Sequence, residues 1–420
     1  MGQVHDDLGS PLLVRQSAAV LRLGALLLSA GAGSYRVKDS MRRVAEAVGL
    51  REHRAQVTLT EITTTARDEE HFRTEVIEQR AIGVNADRLD RIAEYVDGLR
   101  PGTAVADVEA EVDRIGQRPL LYGPAVNALA VALACAAFAF LNGGGVVVCA
   151  AVLAAAGLGQ LVRRRMQHAR LNQFAVTALA AALASAVYVG VVLGLERLGY
   201  ADPAHEAGFI SAVLFLVPGF PLVTAVLDLV RMDFSAGIAR AAYATLILLS
   251  AGMSVWAVSL FGALELELET GSAAGGALGV ALRMLASAVA AAGFAILFNS
   301  PLRVAAIAAV IGALANPGRL LLLDAGMAPQ AAAGLAALAI GLLAAVASTR
   351  AHFSRVTLSV PAVVIMVPGV SVYRSLVHLN EGEIAEALNS GVEATFVIMA
   401  LGVGLAMARI LTDRNWAFDR

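Results

Sequence analysis

The sequence predicts a mainly α-helical integral membrane protein: ten transmembrane helices in two inverted five-helix repeats, preceded by a small cytoplasmic α+β domain. Three observations lead there. Charge is spread unevenly, since residues 1–118 hold 16 Lys+Arg and 19 Asp+Glu, whereas the remaining 302 residues hold 16 and 15. Ten long apolar runs fill that second part. A Val-Pro-Gly triplet stands in the middle of the fourth run, Val217–Gly219, and returns 150 residues later in the ninth, Val367–Gly369. The composition agrees: 58% of residues are hydrophobic and the mean hydropathy is +0.70, against about 45–50% apolar residues in an ordinary soluble domain.

Residues 1–118 read as the water-soluble domain. The first ten residues, MGQVHDDLGS, lack the basic region of a signal peptide. The apolar stretch Leu23–Ala32 is shorter than the roughly 20 residues a span needs, so 11–33 is expected to be a buried or amphipathic helix. Helices are expected near 11–30, 35–49, 86–99 and 104–117, and strands near 55–65 and 72–84. Gly31, Gly33 and Ser34 form a turn between the first two helices. The stretch SAGAGS follows a helical pattern and lacks the Lys-Ser/Thr of a phosphate loop, so ATP-driven pumping is not expected. No nucleophile–base–orienter set stands out, and His53 and His71 are isolated. The chain is therefore not read as an enzyme, and no catalytic residue, cofactor or metal site is assigned. Cys135 and Cys149 each fall inside an expected span, which argues against a structural disulfide. A net charge of -2 without a basic patch argues against nucleic acid.

The apolar runs cover 120–141, 145–162, 174–195, 208–230 and 238–262 in a first repeat (119–265). They cover 273–298, 302–323, 327–347, 357–379 and 391–411 in a second (270–420). Runs this long and continuous fit helices, because every backbone group in lipid must be paired and barrel strands would alternate. In the seventh run, Asn316-Pro317-Gly318 is expected to break the helix. With the soluble domain in the cytoplasm, the inner connections and C-terminal end contain Arg163, Arg164, Arg165, Arg170, Arg231, Arg240, Arg303, Arg350, Arg355, Arg409, Arg414 and Arg420. The outer connections contain Arg197, Arg319 and Arg374. The loop ALELELETGS, with no basic residue, lies outside. This positive-inside bias places both termini in the cytoplasm of a cell with this protein in its plasma membrane.

Laid over one another without a gap, the two halves also match at Leu229/Leu379, Ala244/Ala394, Thr245/Thr395 and Gly252/Gly402. Each Val-Pro-Gly lies in the fourth of five spans. Five is odd, so the second set enters the membrane inverted, a plan common among transporters whose substrate sites lie near the midplane. Pro218 and Pro368 have no N–H and clash with the preceding turn, while Gly219 and Gly369 let the backbone turn or a neighbour approach. Peptide groups freed in hydrocarbon cost several kcal/mol unless paired, and a polar substrate or water can pair them. A packing kink is the alternative.

These residues carry a resemblance to a family. LLLSAGAGSYRVKDSMRRVAEAVGL, VTLTEITTTA and VNADRLDRIAEYV resemble the cytoplasmic domain of the threonine/serine exporter family. LVPGFPLVTAVLDLVRMDFSAGIARA resembles its first membrane half; FAILFNSPLRVAAIAAVIGAL and MVPGVSVYRSL resemble its second. The resemblance covers nearly the whole chain. It implies export of L-threonine and L-serine driven by the proton motive force. Related two-chain systems imply dicarboxylate export as an alternative. A membrane-anchored sensor or enzyme is the alternative from another class.

The candidate substrate-binding residues are Pro218, Gly219, Thr224, Pro368, Gly369, Ser371, Tyr373 and Arg374. The hydroxyls of Thr224, Ser371 and Tyr373 follow the breaks and could bind a small polar substrate or back-bond to their own helix. Arg374 could pair with a substrate carboxylate or snorkel to the interface. Arg283 and Glu393, inside or beside spans, could pair with each other as a gate. Asp228 is the candidate proton-coupling carboxylate, with an ion pair to Arg231 or Arg240 as its alternative role. His378 holds the equivalent position in the second repeat. The expected partners are a small polar amino acid, protons and the lipid bilayer; the oligomeric state is left open, a homo-oligomer included.

Overall fold

The computed structural model describes residues 11–69, 71–80, 82–200, 205–262, 276–351 and 353–418. The N-terminal decapeptide, the ALELELETGS loop and Arg420 lie outside the described residues. The chain forms two units, one of residues 1–120 with 224–241 and the other of 121–223 with 242–420. The segment 224–241, assigned on sequence to the first membrane repeat, thus belongs with the N-terminal residues.

In the first unit, α1 (Pro11–Ser29) and α2 (Ser34–Ala47) precede an antiparallel sheet, order β1-β2-β3. Its strands are β1 (Glu52–Val57), β2 (Glu61–Arg67) and β3 (Phe72–Glu78), followed by α3 (Ala86–Asp97) and α4 (Val105–Gly116). The single strand expected over 55–65 is two strands. The turn between them is closed by Thr58 N–H to Glu61 O (2.9 Å) and Glu61 N–H to Thr58 Oγ1 (3.1 Å). A threonine hydroxyl makes this turn, without the Gly, Pro or Asn that would have marked it. Along β2, Ile62, Thr64 and Ala66 are buried and alternate with less buried residues, the period-2 pattern of a one-sided sheet. Asn85 caps α3, its side chain accepting from Arg88 N–H. Helix α1 is long and apolar enough to cross a membrane. It instead packs against α2, α4 and the sheet, with Leu13, Val20, Leu23 and Leu27 at most 1% exposed, as expected for a core helix.

The remaining helices are α5 (Pro124–Leu141), α6 (Val146–His168), α7 (Gln173–Arg197), α8 (His205–Ala212), α9 (Gly219–Val230) and α10 (Phe234–Gly262). The second half supplies α11 (Gly276–Leu297), α12 (Leu302–Asp324), α13 (Pro329–Ala351), α14 (Arg355–Val364), α15 (Gly369–Glu381) and α16 (Ile384–Thr412). Among the described residues, nine helices are long and apolar enough to cross a membrane, α1 included, and the bent pair α14–α15 makes a tenth. The protein is a mainly α-helical, multi-pass membrane protein.

The expected interruption at Asn316-Pro317-Gly318 does not occur. Helix α12 runs through Pro317. A mid-helix proline removes one hydrogen bond and crowds the previous turn, a cost that membrane helices tolerate when neighbours cover the freed carbonyl.

The first helices of the two halves pack closely. A β-carbon on Gly293 of α11 would collide with the Ala130 carbonyl of α5 and stand 2.7 Å from Ala134 Cβ. Between membrane helices such close approach replaces the hydrophobic drive that lipid abolishes. Polar anchors fix the same pair: Leu121 N–H donates to Asn299 Oδ1 (2.9 Å), and Tyr122 O–H to Ser300 O (2.7 Å).

Candidate functional site

Both Val-Pro-Gly triplets break their helix, and they do so with the same hydrogen bonds. In the first, Leu216 N–H donates to Val213 O, Val217 to Leu214, Gly219 to Val217 and Leu222 to Pro218, at 2.8–3.0 Å. In the second, Met366 donates to Val363, Val367 to Val364, Gly369 to Val367 and Val372 to Pro368, at 2.8–3.1 Å. Every donor and acceptor is shifted by 150 positions. The bond that skips one residue closes an inverse γ-turn, and Pro368 at its centre has φ -78° and ψ 62°. Proline suits that position, since its ring already holds φ near -65° and it has no N–H to lose. Helices α14 and α15 meet there at 48°.

The breaks also touch each other, reciprocally. Gly219 lies against Val364, where a β-carbon would come within 2.7 Å of Cγ2. Gly369 lies against Leu214, 3.7 Å from Cδ1 to such a carbon. Leu214 and Val364 are equivalent residues of the two repeats, so the contacts are those of a pseudo-two-fold axis. Tyr373 adds an edge-on contact to Phe209 of α8, centroids 6.1 Å apart.

A cavity of about 200 Å³ opens at the second break. The chain from Ile365 to Ser371 forms one wall, and the others come from the C-terminal ends of α5 and α12 and from Glu393 and Val397 within α16, with Asn142, Asn316, Arg319 and Glu393 as polar members. Of the sequence candidates, Pro368, Gly369, Ser371 and Glu393 line it. Pro218, Gly219, Tyr373 and Arg374 do not, and Thr224 is buried in the first unit. Asn316 and Arg319 were missed as site residues. They sit at positions 15 and 18 of the 23-residue α12, where the 23-residue α6 carries Gln160 and Arg163.

The two arginines are differently engaged. Arg163 donates through a terminal nitrogen to Phe215 O (2.9 Å), a carbonyl next to the first break. Arg319 makes no bond to Ile365, the equivalent of Phe215; its Nε donates to Asn316 Oδ1 (3.1 Å). Asn316 Nδ2 donates in turn to Ser287 Oγ (2.9 Å), as Gln160 Nε2 does to Asn127 Oδ1 (2.7 Å).

The expected Arg283–Glu393 pair does not form. Arg283 reaches Asp324 Oδ2 at 2.7 Å, because the end of α12 lies beside α11 and supplies a nearer carboxylate.

Asp228 lies in the first unit, fully buried. Its Oδ1 accepts from Ser34 N–H (2.8 Å), and its Oδ2 is 3.3 Å from Arg240 Nε. Arg240 also donates to Ala32 O (3.0 Å), and Lys38 pairs with Asp233. The SAGAGS turn is therefore a clasp on residues 228–240. Gly33 permits it, since a β-carbon there would stand 2.9 Å from Asp228 Oδ1. His378, the equivalent of Asp228, is 2.8 Å from Glu383 through Nδ1 and belongs to an exposed group with Glu381.

Comparison with known proteins bears on what such paired breaks serve. The family described as "Putative threonine/serine exporter" matches residues 18–261, and that described as "Threonine/Serine exporter, ThrE" matches 283–411. The chain belongs to the threonine/serine exporter family. A relative from Mycobacterium tuberculosis, "Probable threonine/serine exporter", is 25% identical over 94% of this chain and 75% of its own length. The "Probable succinate transporter subunit YjjP" of Escherichia coli is 30% identical over 57% of this chain and 93% of its own. Its Klebsiella aerogenes counterpart is 30% identical over 54% and 87%. No solved structure matches. As a member of this family the protein is a membrane transporter. Both family matches together take in the N-terminal unit and the two breaks.

Proposed function

We propose that the protein is a secondary exporter of L-threonine and L-serine, driven by the proton motive force, with substrate bound near the midplane between the two broken helices. The observation that carries this reading is the reciprocal packing of the breaks, Gly219 on Val364 and Gly369 on Leu214, with a cavity that holds a few polar side chains on one side of it. Two equivalent halves meeting at a hinge can expose one site alternately to each side. In this reading Pro368 and Ser371 contact substrate, and Gly369 contacts it through peptide groups that a methyl side chain leaves in place. Asp228 carries the coupling proton, its protonation freeing Arg240. The plasma membrane holds the protein, with both termini cytoplasmic.

The reading is tested by efflux from cells preloaded with a Thr- or Ser-containing dipeptide, comparing wild type with Pro218→Ala/Pro368→Ala, with and without a protonophore. Loss of efflux in the double variant and on collapse of the gradient is expected. Undiminished efflux in either case sinks the break or the coupling respectively. The names of the E. coli and K. aerogenes relatives favour a second reading, dicarboxylate export on the same scaffold. A parallel succinate assay decides between them.

A further inference from the structure

We propose that the cavity at the second break is a zwitterion site, in which Arg319 receives the carboxylate and Glu393 the ammonium group of a small α-amino acid. The proposal rests on the exporter reading and deepens it, by assigning the two side chains that hold the charged ends of the amino acid.

Arg319 and Glu393 line one cavity of about 200 Å³, smaller than the roughly 300–1,000 Å³ of pockets for drug-sized ligands. Among the described residues neither has an opposite charge within 4.0 Å, whereas Arg283 has Asp324 at 2.7 Å. Both belong to helices long and apolar enough to cross a membrane, and an ionisable side chain without a counter-ion in such a helix points to function.

The guanidinium is also oriented. Its Nε edge is held by Asn316 Oδ1, and Asn316 is held by Ser287, whose hydroxyl donates to Arg283 O (2.7 Å). That leaves the two terminal nitrogens for a planar carboxylate, which arginine binds through parallel hydrogen bonds. Arg163 shows the alternative use of this position: it spends a terminal nitrogen on the Phe215 carbonyl. Arg319 keeps both.

One cation and one anion in a common cavity complement a zwitterion. A dicarboxylate would satisfy Arg319 and then present its second charge near Glu393, where like charges repel.

The test uses the purified full-length chain in detergent, titrated with threonine, threonine methyl ester, N-acetylthreonine and succinate, while threonine transport is measured separately in proteoliposomes. We expect threonine to bind, and removal of either charged end to weaken binding about tenfold or more, the scale of one charge-assisted hydrogen bond. Arg319→Gln weakens threonine by a similar factor, and Arg319→Lys weakens it less. Glu393→Gln weakens threonine while improving N-acetylthreonine and succinate relative to it, a reversal of ranking that a merely structural role would not give. Wild-type protein that binds the ester and the N-acetyl compound as well as threonine overturns the proposal, whether or not the variants fold. So does an absence of threonine binding. Charge-dependent threonine binding without transport overturns the exporter reading and upholds the site; transport with charge-blind binding does the reverse.

Discussion

Asp228 and Arg240 are each at most 2% exposed, and neither has water to fall back on. Removing one partner of such a pair strands the other as a buried charge, which typically costs about 3–5 kcal/mol, whereas replacing both can be near neutral. Asp228→Ala should therefore lower stability strongly, and Asp228→Ala/Arg240→Met should recover much of the loss. Chemical unfolding of the purified protein in a double-mutant cycle measures this, and additive losses would show that the two side chains do not act together. His53 offers a second residue-scale test. Its Nε2 lies 2.7 Å from Thr64 Oγ1, and burial pushes its pKa from 6.5 down to about 4. The unfolded chain then binds more protons than the folded one between about pH 4 and 6.5, so the histidine's contribution is complete above 6.5 and is lost as pH falls through that window. His53→Gln should flatten the acid side of the stability profile by that contribution. Parallel profiles for the two proteins would show that His53 titrates normally. The pairing of Asp228 with Arg240 was legible as one alternative, because the two charges stand on either side of the short turn between α9 and α10. Its bond to Ser34 was not, since no local pattern links positions 194 apart.

At the scale of the element, the two breaks share four backbone hydrogen bonds but not their packing. A β-carbon would come within 2.7 Å of Val364 at Gly219 but only 3.7 Å from Leu214 at Gly369, an ordinary contact. Gly219→Ala should therefore impair transport or folding, while Gly369→Ala is tolerated, and Gly219→Ala/Val364→Ala should restore function by making room. Transport assays on the three variants, with expression controls, check this. Equal sensitivity of both glycines would show that backbone freedom, not close approach, is what the motif supplies. The breaks themselves were readable from sequence, because the same Val-Pro-Gly recurs at one depth of two matching apolar runs. Asn316 and Arg319 were not, for a geometric reason. The repeats align without a gap at an offset of 150 around the breaks, but α6 and α12 match at 156, so the gapless overlay sets Arg163 against Ala313 and hides the arginine pair. Pro317 misled for a related reason: proline next to glycine ends a helix in water, yet in this helix it removes only one bond.

At the scale of the whole molecule, the arginines describe a state. Arg163 is fastened to the first break's carbonyl and Arg319 is unfastened beside an open cavity. If the halves are equivalent, one side is shut and the other open, and the transport cycle exchanges the two arrangements. The cavity lies at the C-terminal ends of α5 and α12 and the N-terminal end of α13, and reaches Glu393 and Val397 within α16. We propose that, in the orientation the arginine distribution expects, these three ends face outward and this state is open to the outside. The spans were readable because apolar length is set residue by residue. Which side is open was not, because it depends on a hydrogen bond between distant helices. Labelling can decide it. Cys135 is buried and Cys149 half-buried, so a Cys135→Ala/Cys149→Ala background removes the native thiols. In that background Ser371→Cys should react with a membrane-impermeant maleimide added to intact cells, and threonine should slow the reaction. Gln160→Cys should stay unlabelled from outside and react only when the cytoplasmic face is exposed. Breaking the Arg163 latch with Arg163→Gln should shift the balance, slowing labelling at position 371 and speeding it at 160. Equal labelling of both positions from one face would mean that the two halves do not alternate.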